Sequence, residues 1–114
     1  VHLSLKYRHR QEQLAHLHDL IVAAHKPVIV AGDFNTFTGQ QELFLFMRAA
    51  GLRSANSLGL PSFPSTRPRF ELDFVLVSRE IEVLDFRVPD IRYSDHRPVI
   101  CDFKVNRVSQ ASAA

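Results

Sequence analysis

Residues 27–36 read Pro27-Val28-Ile29-Val30-Ala31-Gly32-Asp33-Phe34-Asn35-Thr36. A short apolar run rich in β-branched residues, with no polar alternation, suits a central strand covered on both faces. Gly32 ends that strand, and Asp33-Phe34-Asn35-Thr36 forms the turn that leaves it. Upstream, residues 8–25 switch to helical period: Leu14, Leu17, Ile21 and Ala24 make one apolar stripe with Leu20 beside it. Lys26-Pro27 stops this helix, because the residue before a proline is pushed out of the α region. Residues 1–5, with Val1, Leu3 and Leu5 on one face, predict a strand. Strand, helix and strand in succession make a βαβ unit with a right-handed crossover.

Downstream, Leu43, Phe44, Met47 and Ala50 fall at helical spacing, predicting a helix over 40–50 with Gly51 as its C-cap. Residues 53–69 hold three prolines among Ser, Asn and Gly, which predicts an extended loop, and a connection of that length is usually functional. Strands are predicted over 72–77 and 82–88. A last strand over 98–105 alternates, with Val99, Cys101 and Phe103 on one face. The expected product is one α/β domain (α+β by some schemes) over residues 1–105, a mixed sheet with two helices. Residues 106–114 are expected to form a disordered tail.

Bulk properties narrow the function classes. The chain has 114 residues, room for one small domain, and 46% of them are apolar. No window approaches the ~18 consecutive apolar residues of a membrane-spanning helix. The formal charge is only +2, and the basic clusters at 6–10 and 67–69 do not join into a stripe with interleaved aromatics. That argues against a dedicated nucleic-acid-binding module. Cys101 is the single cysteine. It is expected to be a buried, inert thiol, with no zinc spacing and no disulfide, which leans toward a soluble cytoplasmic protein rather than a stapled secreted one. A chain opening on Val-His-Leu is expected to begin inside a strand of a longer domain.

Three acidic clusters share one placement, each at a strand end or in the adjoining loop: Asp33 with Asn35, Asp73, and Asp95 with His96. Ligand sites in open sheets gather at strand ends, so these groups are expected to share one cleft. Gly32-Asp33-Phe34-Asn35 alone is equally a simple turn, since Asp and Asn are common turn formers. Asp73 is different: a carboxylate among Leu72, Phe74, Val75 and Leu76 needs a partner, because burying an unpaired charge costs several kcal/mol. Oxygen ligands without cysteine favour a hard cation, Mg2+ with Mn2+ as the alternative. A carboxylate beside an imidazole suits phosphoryl transfer.

The segments PVIVAGDFNT, ELDFVLVS and YSDHRPVICDF, in this order and spacing, resemble the C-terminal motifs of the endonuclease/exonuclease/phosphatase family. The resemblance implies half of a four-layer α/β/β/α DNase I-like sandwich and a metal-dependent phosphoesterase. By it, Asp33 matches the aspartate that positions or deprotonates the attacking water. Asn35 matches the asparagine holding that water, the phosphate or a metal. His96 matches the histidine on the scissile phosphate, Asp73 the carboxylate orienting that histidine, and Asp95 the aspartate near the metal. His2 resembles a strand histidine near the leaving group, with a surface histidine as the equal alternative. Arg67 lies in a loop resembling one that approaches the substrate phosphate. Metal ligands would be Asp33, Asn35 and Asp95, and the substrate a nucleic acid, phospholipid head group or inositol phosphate. The family's principal metal glutamate belongs to an N-terminal half not represented here. An uncovered apolar sheet face, with weak Mg2+ binding and weak or no activity in the chain alone, is therefore expected. The alternative is a catalytically silent interaction module or truncated fragment that keeps the fold.

Overall fold

Phe74, Val75, Leu76 and Val77 are buried in succession, which only a strand covered on both faces achieves. In the computed structural model, which describes residues 1–106, they form the middle strand of the larger sheet. The element order is α1 (Tyr7–Ala24), β1 (Ile29–Asp33), α2 (Gln40–Ala50), β2 (Leu52–Ser54), β3 (Asp73–Ser78), β4 (Ile81–Arg87) and β5 (Ile100–Val105). β3 pairs antiparallel with β1 on one side and β2 on the other, while β4 and β5 form a separate antiparallel pair. The architecture is thus α+β with two antiparallel sheets, where the sequence predicted one mixed sheet.

Alternation along β3 sorts the core. Phe74 and Leu76 join Val30, Phe34, Leu43, Phe46, Met47 and Leu14 under the helices. Val75 and Val77 face the other way, into a smaller cluster with Ala55 and Ile81 that Val83, Phe86, Val99 and Cys101 partly cover. Leu84, Phe103 and Val105 stay exposed on the second sheet. β1 is not the doubly covered central strand expected: Val30 is buried, but Ile29 and Ala31 are exposed, because the second sheet packs over β3 rather than β1.

The helices follow their apolar stripes with three corrections, the first being Ala24, which is exposed at the end of α1. Leu20 is exposed on α1, and on α2 Phe46 turns inward while Phe44 stays outside. Gly51 caps α2 in the left-handed conformation, φ 69°. Arg10, buried in the first turn of α1, grips Glu42 of α2 through Nε and Nη2 at 2.5 and 2.6 Å. Sequence periodicity did not point to this clamp between the helices.

The predicted strand over 1–5 shrinks to one parallel bridge, His2 to Asp33. Asp33 N–H donates to the Val1 carbonyl (3.0 Å) and Leu3 N–H to the Asp33 carbonyl (2.8 Å). Gly32 permits this approach: a Cβ there would stand 1.8 Å from the Val1 carbonyl oxygen, and its φ of +146° suits glycine alone. The long loop predicted over 53–69 begins later than expected, since Leu52–Ser54 pairs with β3; three residues are too short for a periodic signal. Residues 107–114, most of the expected disordered tail, lie outside the described residues. Among the described residues, no helix is long and apolar enough to cross a membrane.

Candidate active site

Antiparallel register sets Asp33, the last residue of β1, directly opposite Asp73, the first of β3. Opposed residues point to the same sheet face, so both carboxylates leave at one end of the sheet. Phe34 then turns inward, fully buried, and packs edge-on against Phe74 with ring centroids 5.4 Å apart. Asn35 adopts a left-handed φ of 51°, which asparagine tolerates. Its N–H donates to Asp33 Oδ1 (2.9 Å), and its Nδ2 donates to the Leu3 carbonyl (2.7 Å). The tetrapeptide is therefore a turn and a site element at once. It aims Asp33 outward and pins the segment carrying His2.

Asp73 has the partners its setting requires. Ser62 Oγ donates to Asp73 Oδ2 at 2.6 Å, and His96 Nδ1 meets the same oxygen at 2.6 Å. The far side of the imidazole, Nε2, stands 3.6 Å from Asp33 Oδ2, with His2 Nε2 3.7 Å from that oxygen. Burial lowers the His96 pKa, but the hydrogen bond it donates to Asp73 and the charges of Asp73, Asp33 and Asp95 outweigh it, and the value rises above that of an ordinary histidine. The fold thus favours the imidazolium. That contribution to stability is complete below the ordinary histidine range and is lost as pH climbs through the raised value.

The remaining predicted residues divide. Asp95 is exposed, accepting from Ser94 Oγ at 3.1 Å, and belongs to the site through its charge on His96. Arg67 is exposed on the loop at 62–70. Cys101 is half-buried rather than buried, and burial pushes its thiol pKa up. Ser62, fully buried, was missed, because nothing near it in sequence marks a serine inside a proline-rich loop as a carboxylate partner.

Asp33, Asp73 and His96 each offer one atom within 4.8 Å of the others, a group able to hold a metal ion. The chemistry of the donors narrows this: Asp73 Oδ2 and His96 Nδ1 are already bound to each other. Asp33 Oδ2 stands beyond hydrogen-bond distance of both imidazoles and is the oxygen open to a cation. Glu42 is committed to Arg10, and Glu71 to Asn56 and Gln40. A hollow of about 370 Å3 lined by Asp73, Ile91, Tyr93, His96 and Val99 adjoins the pair. A larger one between residues 1–4 and α1 touches the site only at His2.

On the other flank, Phe63 packs against the His96 ring at 4.9 Å, and Phe37 meets both Phe63 (6.3 Å) and Phe70 (5.2 Å) edge-on. Arg69 lies over Phe70 at 5.6 Å.

Residues 3–96 match the model of the Endonuclease/Exonuclease/phosphatase family. The chain belongs to that family. Among curated proteins, a UPF0294 protein of Yersinia pseudotuberculosis is 36% identical over 107 residues, covering 91% of this chain and 40% of its own length. A UPF0294 protein of Erwinia tasmaniensis is 33% identical over 110 residues, covering 93% and 39%. Among solved structures, the mannosyl-6-phosphatase of Bacteroides thetaiotaomicron superposes with a TM-score of 0.78 at 18% identity, over 90% of this chain and 49% of that one. A functionally unknown conserved protein from Enterococcus faecalis gives 0.72 at 23%, over 93% and 48%. These structural likenesses carry the DNase I-like fold alone. The chain spans about 40% of the length of the curated relatives it matches.

Proposed function

We propose that this chain supplies the phosphate-handling half of a metal-dependent phosphoesterase. The observation that carries the proposal is the Asp73–His96 pair, held at 2.6 Å with its outer nitrogen turned toward Asp33. Asp73 fixes the imidazole by accepting from Nδ1–H, which leaves Nε2–H to donate to a non-bridging oxygen of the phosphate. Asp33, adjacent and without a donor on Oδ2, orients the attacking water and takes its proton as the new P–O bond forms in line with the departing alcohol. The alcohol oxygen receives its proton from the side where His2 stands, exposed and free to exchange with solvent.

A hard cation would be held by Asp33, with Asn35 and Asp95 proposed as further oxygen donors, since Mg2+ is commonly held by one or two carboxylates plus substrate phosphate and water. When bound it supplies charge neutralisation on the phosphate. The relatives' greater length is where a further metal carboxylate would lie. Phosphate monoesters and diesters both fit this chemistry, and the similarity to a mannosyl-6-phosphatase keeps sugar phosphates among the candidates.

Joined to the remainder of a relative-length domain, the chain is expected to hydrolyse p-nitrophenyl phosphate or its bis-ester with Mg2+ or Mn2+, and to lose that activity in EDTA. The chain alone is expected to turn over weakly or not at all. Ordinary turnover by the chain alone contradicts the need for the missing carboxylate; metal-independent hydrolysis by the joined protein contradicts the proposal itself.

A further inference from the structure

We infer that Arg10 and Gln13 of α1 are positioning residues for the proton donor: they clamp the backbone that carries His2, and through it hold the His2 imidazole at Asp33. The inference rests on the proposal that the departing alcohol takes its proton from the side where His2 stands. That imidazole is weakly held by its own contacts. Its side chain is 78% exposed, and Nε2 stands 3.7 Å from Asp33 Oδ2, beyond hydrogen-bond distance. Its place is therefore set by the backbone of residues 1–5.

β1 secures only the first part of that backbone, through the Val1, Leu3 and Asp33 bonds, with Asn35 Nδ2 on the Leu3 carbonyl. Past Leu3 the segment leaves β1, and side chains of α1 take over. Gln13 Oε1 accepts from Ser4 N–H (2.8 Å). Arg10 Nη1 donates to the Ser4 carbonyl (3.1 Å) and to the Leu5 carbonyl (2.8 Å). Arg10 is itself fixed, buried with Nε and Nη2 forked onto Glu42 of α2. A link between the two helices needs only that fork. The third nitrogen reaches two carbonyls of the His2 segment, a geometry that a planar guanidinium supplies and an ammonium does not. Residues 1–5 thus lie between β1 and a clamp borne on the helices, which blocks their swing away from Asp33.

The test uses leaving groups that need a proton to different degrees. p-Nitrophenolate departs unprotonated, whereas phenolate departs far more readily when a proton is delivered to it. In the relative-length domain with Mg2+, Arg10→Lys is expected to lower kcat on phenyl phosphate about 10^2-fold, the cost of roughly an ångström of misplacement, and kcat on p-nitrophenyl phosphate by less than about threefold. Gln13→Ala, at an exposed position, is expected to shift the same ratio in the same direction by a smaller factor. His2→Ala is expected to show the full selective loss, and Arg10→Lys added to it to have no further effect, since residues that act through one group are not additive. In the chain alone, Arg10→Lys and Gln13→Ala are expected to speed amide hydrogen exchange at Leu3 while the amides of β3 keep their protection. Equal loss on both esters, an undiminished Arg10→Lys loss in the His2→Ala background, or unchanged Leu3 exchange in both variants overturns the positioning role and leaves the proton-donor reading standing. A His2→Ala domain that hydrolyses the two esters in the wild-type ratio overturns the proton-donor reading, and the inference with it.

Discussion

Replacing Asp73 by Asn in the complete domain is expected to lower kcat on the order of 10^3-fold while changing KM little. The carboxylate touches no substrate in this account; it acts on His96. With Asp73 present, Nδ1 carries the proton toward Oδ2 at 2.6 Å, and Nε2 is free to serve the phosphate. A neutral carboxamide keeps the volume but removes the charge that favours the imidazolium, the form whose positive charge and Nε2–H serve the phosphate. Losing an orienting carboxylate in comparable imidazole dyads costs about 10^4-fold, and a general acid or base typically contributes about 10^2 to 10^4. The same substitution should lower the His96 pKa, since the hydrogen bond and charge of Asp73 are its main raising causes. A kcat within about threefold of wild type, against that expected range, would remove Asp73 from the mechanism.

Phe34→Ala is expected to cost about 3–5 kcal/mol, the usual loss for truncating a fully buried phenylalanine. Phe34 is inaccessible to solvent and packs edge-on against Phe74 in the cluster under the helices. The residue stands between Asp33 and Asn35, so the cavity opens directly beneath the site. A small domain has only about 5–15 kcal/mol of net stability, and a loss this large should lower the urea midpoint sharply, with site geometry failing before global unfolding. Phe37, half-exposed, supplies the control: its truncation should cost far less stability. Equal effects of the two substitutions would contradict the inward and outward assignments.

Sequence periodicity located what has a local signature. α2 appears at its predicted bounds because Leu43, Met47 and Ala50 recur at helical spacing and Gly51 stops it. The need of Asp73 for a partner followed from its apolar flanks, and the motifs named the family. What escaped depends on register and tertiary approach. Asp33 faces Asp73 only through the antiparallel pairing of β1 with β3. Ser62 reaches Asp73 from a loop whose local sequence reads only as a turn. Aromatic contacts join Phe37 to Phe63 and Phe70 across a helix and a strand, and Arg10 meets Glu42 between helices. The strand over 1–5 was overstated because alternation in a short segment does not reveal how many residues find a partner.

The central claim is that His96, set by Asp73 and facing Asp33, handles phosphate. Its most direct test is a pH titration of the His96 ring nitrogens by 1H–15N NMR, with and without inorganic phosphate. The expected result is a protonated Nδ1, a pKa above that of an ordinary histidine, and a further rise when phosphate is added, because a bound anion stabilises the imidazolium. A His96 that titrates at or below the ordinary value, and does not respond to phosphate, would contradict the account.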